Sequence, residues 1–318
     1  MVAENVSKTA VIGAGTMGAG IAGLLARAGC QVCLVDLSEE ALERAMARLS
    51  IAQESLIAAD LLSAEEAEAA LGRITPLIDL EAACDGIELL IEAMSEDLAL
   101  KQQMFERFDA LCPEGAVLAS NTSGLSITEI GHATNRPELV AGMHFWNPPH
   151  LIPLVEVTKG RETSDATAQL LMAICRRIGK RPILVQHDVP GFVGNRLQFA
   201  VLREALHLLS EGIASAEDID TAMTAGPGLR YGLLGPLRTA DLGGLDVFLA
   251  ISSYLFADLS SEEKPPALLA ELVKQGKLGA KTGGGFYPYG EEELGEIIAQ
   301  RDRVLLAFTK ALNEKESR

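Results

Sequence analysis

Val11-Ile12-Gly13-Ala14-Gly15-Thr16-Met17-Gly18 decides the fold of this chain. A β-branched run feeds a glycine turn and a helix of small residues follows. A second apolar run, Gln31 to Asp36, ends on a carboxylate eighteen residues after Gly18. That order is a βαβ unit with the dinucleotide-binding fingerprint. Gly13 allows the tight turn, Gly15 lets the backbone approach a pyrophosphate, and Gly18 lets the helix sit close to the strand. The helix opening at Thr16 and Met17 offers free N–H groups and a positive dipole end to the phosphates. A carboxylate at Asp36 accepts hydrogen bonds from a ribose 2′-OH and repels a 2′-phosphate. Leu37, Ser38, Glu39 and Glu40 after it bring no arginine to hold such a phosphate. The cofactor read from this stretch is NAD, not NADP.

Beyond this unit, strand candidates are Thr9–Gly13, Gln31–Asp36, Leu89–Ile91, Ala116–Ala119, Val140–Phe145, Leu154–Thr158 and Ile183–Val185, with helices between them. The alternation argues for an α/β fold with a parallel, doubly wound sheet of Rossmann type. Glu39–Ala70 is rich in Ala, Leu and Glu and reads as a helical hairpin, either a solvated arm or a flap over the substrate mouth. At Asp188-Val189-Pro190-Gly191 β-branched runs give way to helical patterns over Phe192–Glu211, Ser215–Thr224, Leu245–Phe256, Ala267–Gln275 and Glu292–Leu312. This sets a NAD-binding domain over residues 1–187 and an all-helical substrate and dimerisation domain over residues 188–318. Leu197, Leu202, Leu206 and Leu209 fall at helical spacing and predict a stripe that is core or subunit interface.

The 318 residues suit two domains, and 48% hydrophobic content is ample for their cores. A formal net charge of −17 argues against nucleic acid or an anionic membrane surface as partner. It also weighs mildly against a polyanionic substrate unless local cations override it. No apolar run nears the roughly 20 residues that span a bilayer, and no basic-then-apolar leader opens the sequence, so a cytoplasmic location is expected. Cys30-Gln31-Val32-Cys33 matches CxxC, but positions three apart on a strand face opposite sides and no second pair completes a zinc site. No metal is expected. Asn5-Val6-Ser7 and Asn121-Thr122-Ser123 match the glycosylation pattern without meaning in that compartment.

A dehydrogenase acting on an alcohol needs a base for the hydroxyl proton, and imidazole titrates close to working pH. His144 ends a strand in Met143-His144-Phe145-Trp146-Asn147-Pro148. Ligands of open α/β sheets bind beyond that end. His132 and His150 lie in loops, His187 at the domain junction and His207 on a helix. Twelve residues after His144, Glu156 interrupts the apolar run Leu154–Val157. A carboxylate there either faces water on an edge strand or takes a partner, because an isolated buried charge is costly. Paired with His144, it would fix the tautomer and raise the basicity of the ring.

Seven ordered segments resemble the L-3-hydroxyacyl-CoA dehydrogenase family. They are Ile12–Gly18, Ile91-Glu92-Ala93, Ser120–Ser123, His144–Pro148, Leu154–Val157, Pro190–Arg196 and Lys281–Tyr287, and the likeness runs from about residue 8 to residue 289. The resemblance implies that His144 is the catalytic base and Glu156 the acid that orients it. It implies that Ser123 and Asn195 hold the reacting oxygen, and that Glu96, Lys101 and Asn147 lie near ribose and nicotinamide. It also implies a helical second domain and a homodimer. Ala225-Gly226-Pro227-Gly228-Leu229-Arg230-Tyr231 departs from the short-chain pattern and is similar to the L-gulonate 3-dehydrogenase (lambda-crystallin) and carnitine dehydrogenase branches. There Arg230 would pair with a free substrate carboxylate, or else form only a surface ion pair. Gly279–Tyr287 looks like the C-terminal signature of the acyl-CoA branch. The expected reaction is therefore reversible, NAD-dependent oxidation of a short L-3-hydroxyacyl-CoA, with a free 3-hydroxy acid as the alternative. A non-catalytic, lens-type NAD-binding protein is a remoter alternative. It would have lost one of His144, Glu156, Ser123 or Asn195, all of which are present.

Overall fold

A computed structural model describes Ala3 and residues 6–316, with side chains described as far as residue 311. Asn5, from the first glycosylation match, lies outside the described residues. The strands are β1 (Lys8–Ile12), β2 (Gln31–Val35), β3 (Ile74–Leu77), β4 (Leu89–Glu92), β5 (Val117–Ser120), β6 (Val140–Phe145), β7 (Leu154–Lys159) and β8 (Arg181–Val185). Interleaved with them are α1 (Thr16–Arg27), α2 (Glu39–Ala58), α3 (Ala64–Leu71), α4 (Leu80–Cys84), α5 (Leu98–Leu111), α6 (Ile127–Gly131) and α7 (Asp165–Arg177). The strands form one eight-stranded sheet in the order β3-β2-β1-β4-β5-β6-β7-β8. The reversal of strand order beside β1 is the crevice where open α/β sheets take their ligand.

The sheet departs from the parallel expectation at one place. β7 runs antiparallel to β6. The connection Trp146–Pro153 is too short for a parallel crossover, which needs a dozen residues or more. The antiparallel register sets His144 directly opposite Glu156, and directly opposed residues share a face of the sheet. β3 was not anticipated. It is a four-residue edge strand containing Pro76, a residue tolerated there because an edge leaves N–H groups unpaired.

The excursion over residues 39–70 is a packed hairpin. Ser38 caps α2 by accepting from the Ala41 N–H, and Ser63 with Glu66 forms a capping box on α3. Leu42, Ala45, Leu49 and Leu56 of α2 are buried, and a Cβ on Gly23 of α1 would meet Leu49 Cδ2 at 2.6 Å.

The remaining helices are α8 (Gly194–Ser210), α9 (Ala216–Ala225), α10 (Pro227–Leu234), α11 (Pro236–Gly243), α12 (Leu245–Leu255), α13 (Ala267–Lys274) and α14 (Glu291–Glu316). α10 and α11 were not anticipated, although Gly226-Pro227 and Gly235-Pro236 place proline at the first helical position. The chain divides into two compact units. One reaches to Arg196 and includes the segment from Gln300, and the other spans Leu197–Ala299. In the second unit, of the expected leucine stripe, Leu206 is buried while Leu197 is exposed.

Candidate active site

The glycine turn has the geometry its chemistry requires. Gly13 has φ +101°, and a Cβ on it would meet the Ala93 carbonyl oxygen at 2.6 Å. A Cβ on Gly18 would collide with the Gly13 carbonyl, whereas one on Gly15 would meet nothing within 4 Å. Backbone at Gly15 is thus open to a ligand, and no side chain caps the start of α1. Thr16 is exposed and Met17 half-buried there. Asp36 stands at the end of β2, with Oδ2 accepting from the Ala14 N–H at 2.6 Å and Oδ1 from the Leu37 N–H at 2.7 Å. Beside it lies a cavity of about 640 Å³, walled by Gly13, Gly15, Asp36, Ile78, Leu80 and Met94 and by Arg107 of α5. Sequence reasoning missed Arg107, which lies far along the chain from Asp36. Its only local signal is that Leu100, Met104 and Arg107 share one helical face.

A buried ionic network stands at the end of β4. Glu92 accepts from Lys101 Nζ at 2.6 Å, from Ser120 Oγ at 2.6 Å and from the Met94 N–H at 2.6 Å. Lys101 is 1% exposed, and its second partner is Glu96 Oε2 at 3.6 Å. Glu96, on the exposed rim, accepts from Thr122 Oγ1 at 2.6 Å and from the Ser123 N–H at 2.9 Å. The network therefore fixes the Ser123 loop. Asn195 Nδ2 donates to the Ser123 carbonyl at 2.8 Å, so these two residues are brought together. Among the described residues the Ser123 hydroxyl has no hydrogen-bond partner, and the residue is exposed.

His144 and Glu156 meet as the β6–β7 register requires. His144 Nδ1 lies 2.8 Å from Glu156 Oε2, with His144 5% and Glu156 0% exposed. Glu156 Oε2 also accepts from the indole Nε1–H of Trp146 at 3.3 Å, and Oε1 accepts from the backbone N–H groups of Val193 at 3.0 Å and Gly194 at 2.9 Å. Burial pushes the Glu156 carboxyl up. The hydrogen bonds from His144, Gly194 and Val193, with the charge of His144, together outweigh burial and hold it below the usual carboxylate range. Asn121 Oδ1 accepts from the Phe145 N–H at 2.8 Å and pins the end of β6. Asn147 is exposed just beyond it. Arg230 stands exposed on α10 of the second unit. Of the other histidines, His132 is exposed beside Glu129 and Glu162. Burial pushes the His150 imidazole below its usual range.

Residues 8–189 match the 3-hydroxyacyl-CoA dehydrogenase NAD binding domain, and residues 191–289 match the 3-hydroxyacyl-CoA dehydrogenase C-terminal domain. The chain belongs to the 3-hydroxyacyl-CoA dehydrogenase family. It is an NAD-dependent oxidoreductase, which removes the non-catalytic alternative. The probable 3-hydroxybutyryl-CoA dehydrogenase of Bacillus subtilis (strain 168) is 41% identical over 283 residues, covering 89% of this chain and 97% of its own. A 5-formyl-3-hydroxy-2-methylpyridine 4-carboxylate 5-dehydrogenase of Mesorhizobium japonicum is 38% identical over 307 residues, covering 96% of this chain and 98% of its own. A crystal structure of an enzyme of that activity, described as an NAD+ dependent dismutase, superposes with a TM-score of 0.91 at 37% identity over 97% of this chain and 99% of that one. That of (S)-3-hydroxybutyryl-CoA dehydrogenase from Ralstonia eutropha gives 0.75 at 36% identity over 90% of this chain and 100% of that one. No helix among the described residues is long and apolar enough to cross a membrane.

The turn, the open helix start and the carboxylate at Asp36 fit NAD, which supplies a hydride acceptor when bound. The phosphates would meet Gly15, Thr16 and Met17, and the ribose would meet Asp36.

Proposed function

We propose that this dehydrogenase oxidises the hydroxyl carbon of an L-3-hydroxyacyl-CoA, reversibly, with His144 as general base. The observation that carries the reading is the 2.8 Å contact between His144 and a fully buried Glu156 on neighbouring strands. Glu156 holds Nδ1 of the ring, which leaves Nε2 to take the hydroxyl proton as hydride departs. The carboxylate then stabilises the imidazolium, and its two backbone N–H partners keep it ionised. Ser123 presents its hydroxyl to the oxygen where charge develops, and Asn195 fixes the loop that carries it. In the reverse direction His144 returns the proton to the alkoxide. Glu96 and Asn147, on the rim, lie toward ribose and nicotinamide, with Lys101 neutralising Glu96 from beneath.

Charge and full-length likeness favour a second substrate class, a free hydroxy or oxo acid. The hairpin over residues 39–71 carries eight acids, Glu39, Glu40, Glu43, Glu54, Asp60, Glu65, Glu66 and Glu68, against Arg44 and Arg48. As a flap over the substrate mouth, that surface would repel the phosphates of CoA. The pyridine-carboxylate dehydrogenase structure also covers nearly the whole chain. Under this reading Arg230 binds the substrate carboxylate. Steady-state rates on acetoacetyl-CoA with NADH, set against NAD-linked oxidation of gulonate and carnitine, separate the classes. The primary reading expects turnover of the thioester that Arg230→Ala leaves within a few-fold. Turnover confined to a free acid, and lost in Arg230→Ala, overturns it.

The helical unit supports a homodimer. Leu237, Leu242, Leu249 and Phe256 are 83%, 73%, 69% and 72% exposed in the single chain. Apolar area on that scale marks an association surface.

A further inference from the structure

Trp146 is the one tryptophan of the chain. Its indole lies 5.5 Å from the His144 ring, centroid to centroid, at 52°. Its N–H points to Glu156 Oε2, the same oxygen that meets His144 Nδ1. The contact is built into the fold. Gly194 has no Cβ, and one there would collide with Trp146 Cζ2 and approach Glu156 Oε2 at 3.3 Å. Phe192 closes another side of the imidazole with its centroid at 6.1 Å. Among the described residues, Glu156 on β7 is the charged group in contact with His144.

A carboxylate oxygen shared between two donors gives less to each. We propose that Trp146 is a positioning residue that weakens the pull of Glu156 on His144 and so sets the strength of the base, a role that rests on the His144 reading above. A ring held too tightly by Glu156 would stay protonated at working pH and could not accept the hydroxyl proton. One that lacked Glu156 would be a poor acceptor. The indole holds the pair between these limits by donating to the oxygen that faces the ring.

The first readout needs no substrate. Histidine ring resonances are followed against pH in the full chain, and His144 is identified by its loss in His144→Gln. In Trp146→Phe the His144 titration midpoint is expected to rise by about 0.5 pH unit, roughly 3-fold in the proton equilibrium, as one hydrogen bond to the ionised partner is lost. The rising limb of the pH–rate profile moves with it, so Trp146→Phe loses rate at low pH and recovers it at high pH. Because the tryptophan is single, 5-fluorotryptophan replaces it at one site with a stronger N–H donor. The midpoint is then expected to fall, and this arm holds if the phenylalanine variant does not fold. An unmoved midpoint in both, or a uniform loss of rate at every pH, overturns the proposal and leaves the indole as packing. If the midpoint moves as expected while His144→Gln keeps its turnover, the tuning stands and the general-base reading fails.

Discussion

The sheet-bearing unit and the helical unit solve the burial problem in opposite ways. In the first, strands β4, β5 and β6 are buried along their whole length, and even the polar side chains Glu92, Lys101, Ser120 and Glu156 are enclosed and paired. In the second, helices α9, α10, α12 and α13 bury no residue fully, and large apolar side chains face outward. Fully burying one such side chain is worth about 1.5–3 kcal/mol. The first unit is therefore complete within one chain. The second leaves much of its apolar surface uncovered within one chain, as the proposed homodimer requires. The difference teaches that the two domains are expected to fail by different routes: the first by breaking an internal pair, the second, under the proposed homodimer, by dilution.

Three changes sharpen that contrast, in descending size. Lys101→Met leaves Glu92 buried and uncompensated, which costs about 3–5 kcal/mol. Urea denaturation is expected to show it as a large drop in midpoint for the sheet-bearing unit, independent of protein concentration. A small shift would mean the network is wetter than its geometry. Leu249→Arg, on the 69% exposed face of α12, is expected to convert a dimer to monomer in sedimentation and to lower stability by about 2 kcal/mol. An unchanged sedimentation coefficient would remove that face from the interface. The third change is acid. Burial pushes the carboxyls of Glu156, Asp109 and Asp188 up, yet their hydrogen bonds hold all three below the usual range. Their stabilisation is therefore present in full above the unfolded carboxylate values of about 4. It is lost as pH falls through the lower folded values. The urea midpoint should stay flat from about pH 7 to 5 on their account and decline below about pH 4, and a midpoint that rises on acidification contradicts the assignment.

Much of the first unit was legible because its signals are local. The glycine turn, the carboxylate at Asp36 and the short apolar runs of β1, β2 and β4 to β8 each announce themselves within a few residues. His144 and Glu156 were legible as candidates, because an acid inside an apolar strand either faces water or takes a partner, and the resemblance joined them. Their opposition across β6 and β7 was not, since it depends on the antiparallel turn between them. Lys101 was read only through the resemblance, as a residue near ribose and nicotinamide; its burial against Glu92 was not legible, because Glu92 comes from another element. Arg107 and Trp146 were missed as site residues for the same reason, because the groups they meet come from elsewhere in the chain. β3 fell below notice through brevity and Pro76, and α10 and α11 through their glycines.

The pairing of imidazole and carboxylate across β6 and β7 is tested most directly by turnover in His144→Gln, measured on whichever substrate class the unaltered enzyme oxidises. Loss of a general base predicts a fall of about 10²- to 10⁴-fold in kcat with NAD affinity preserved. A variant that binds NAD and turns over within a few-fold of the parent would contradict the account.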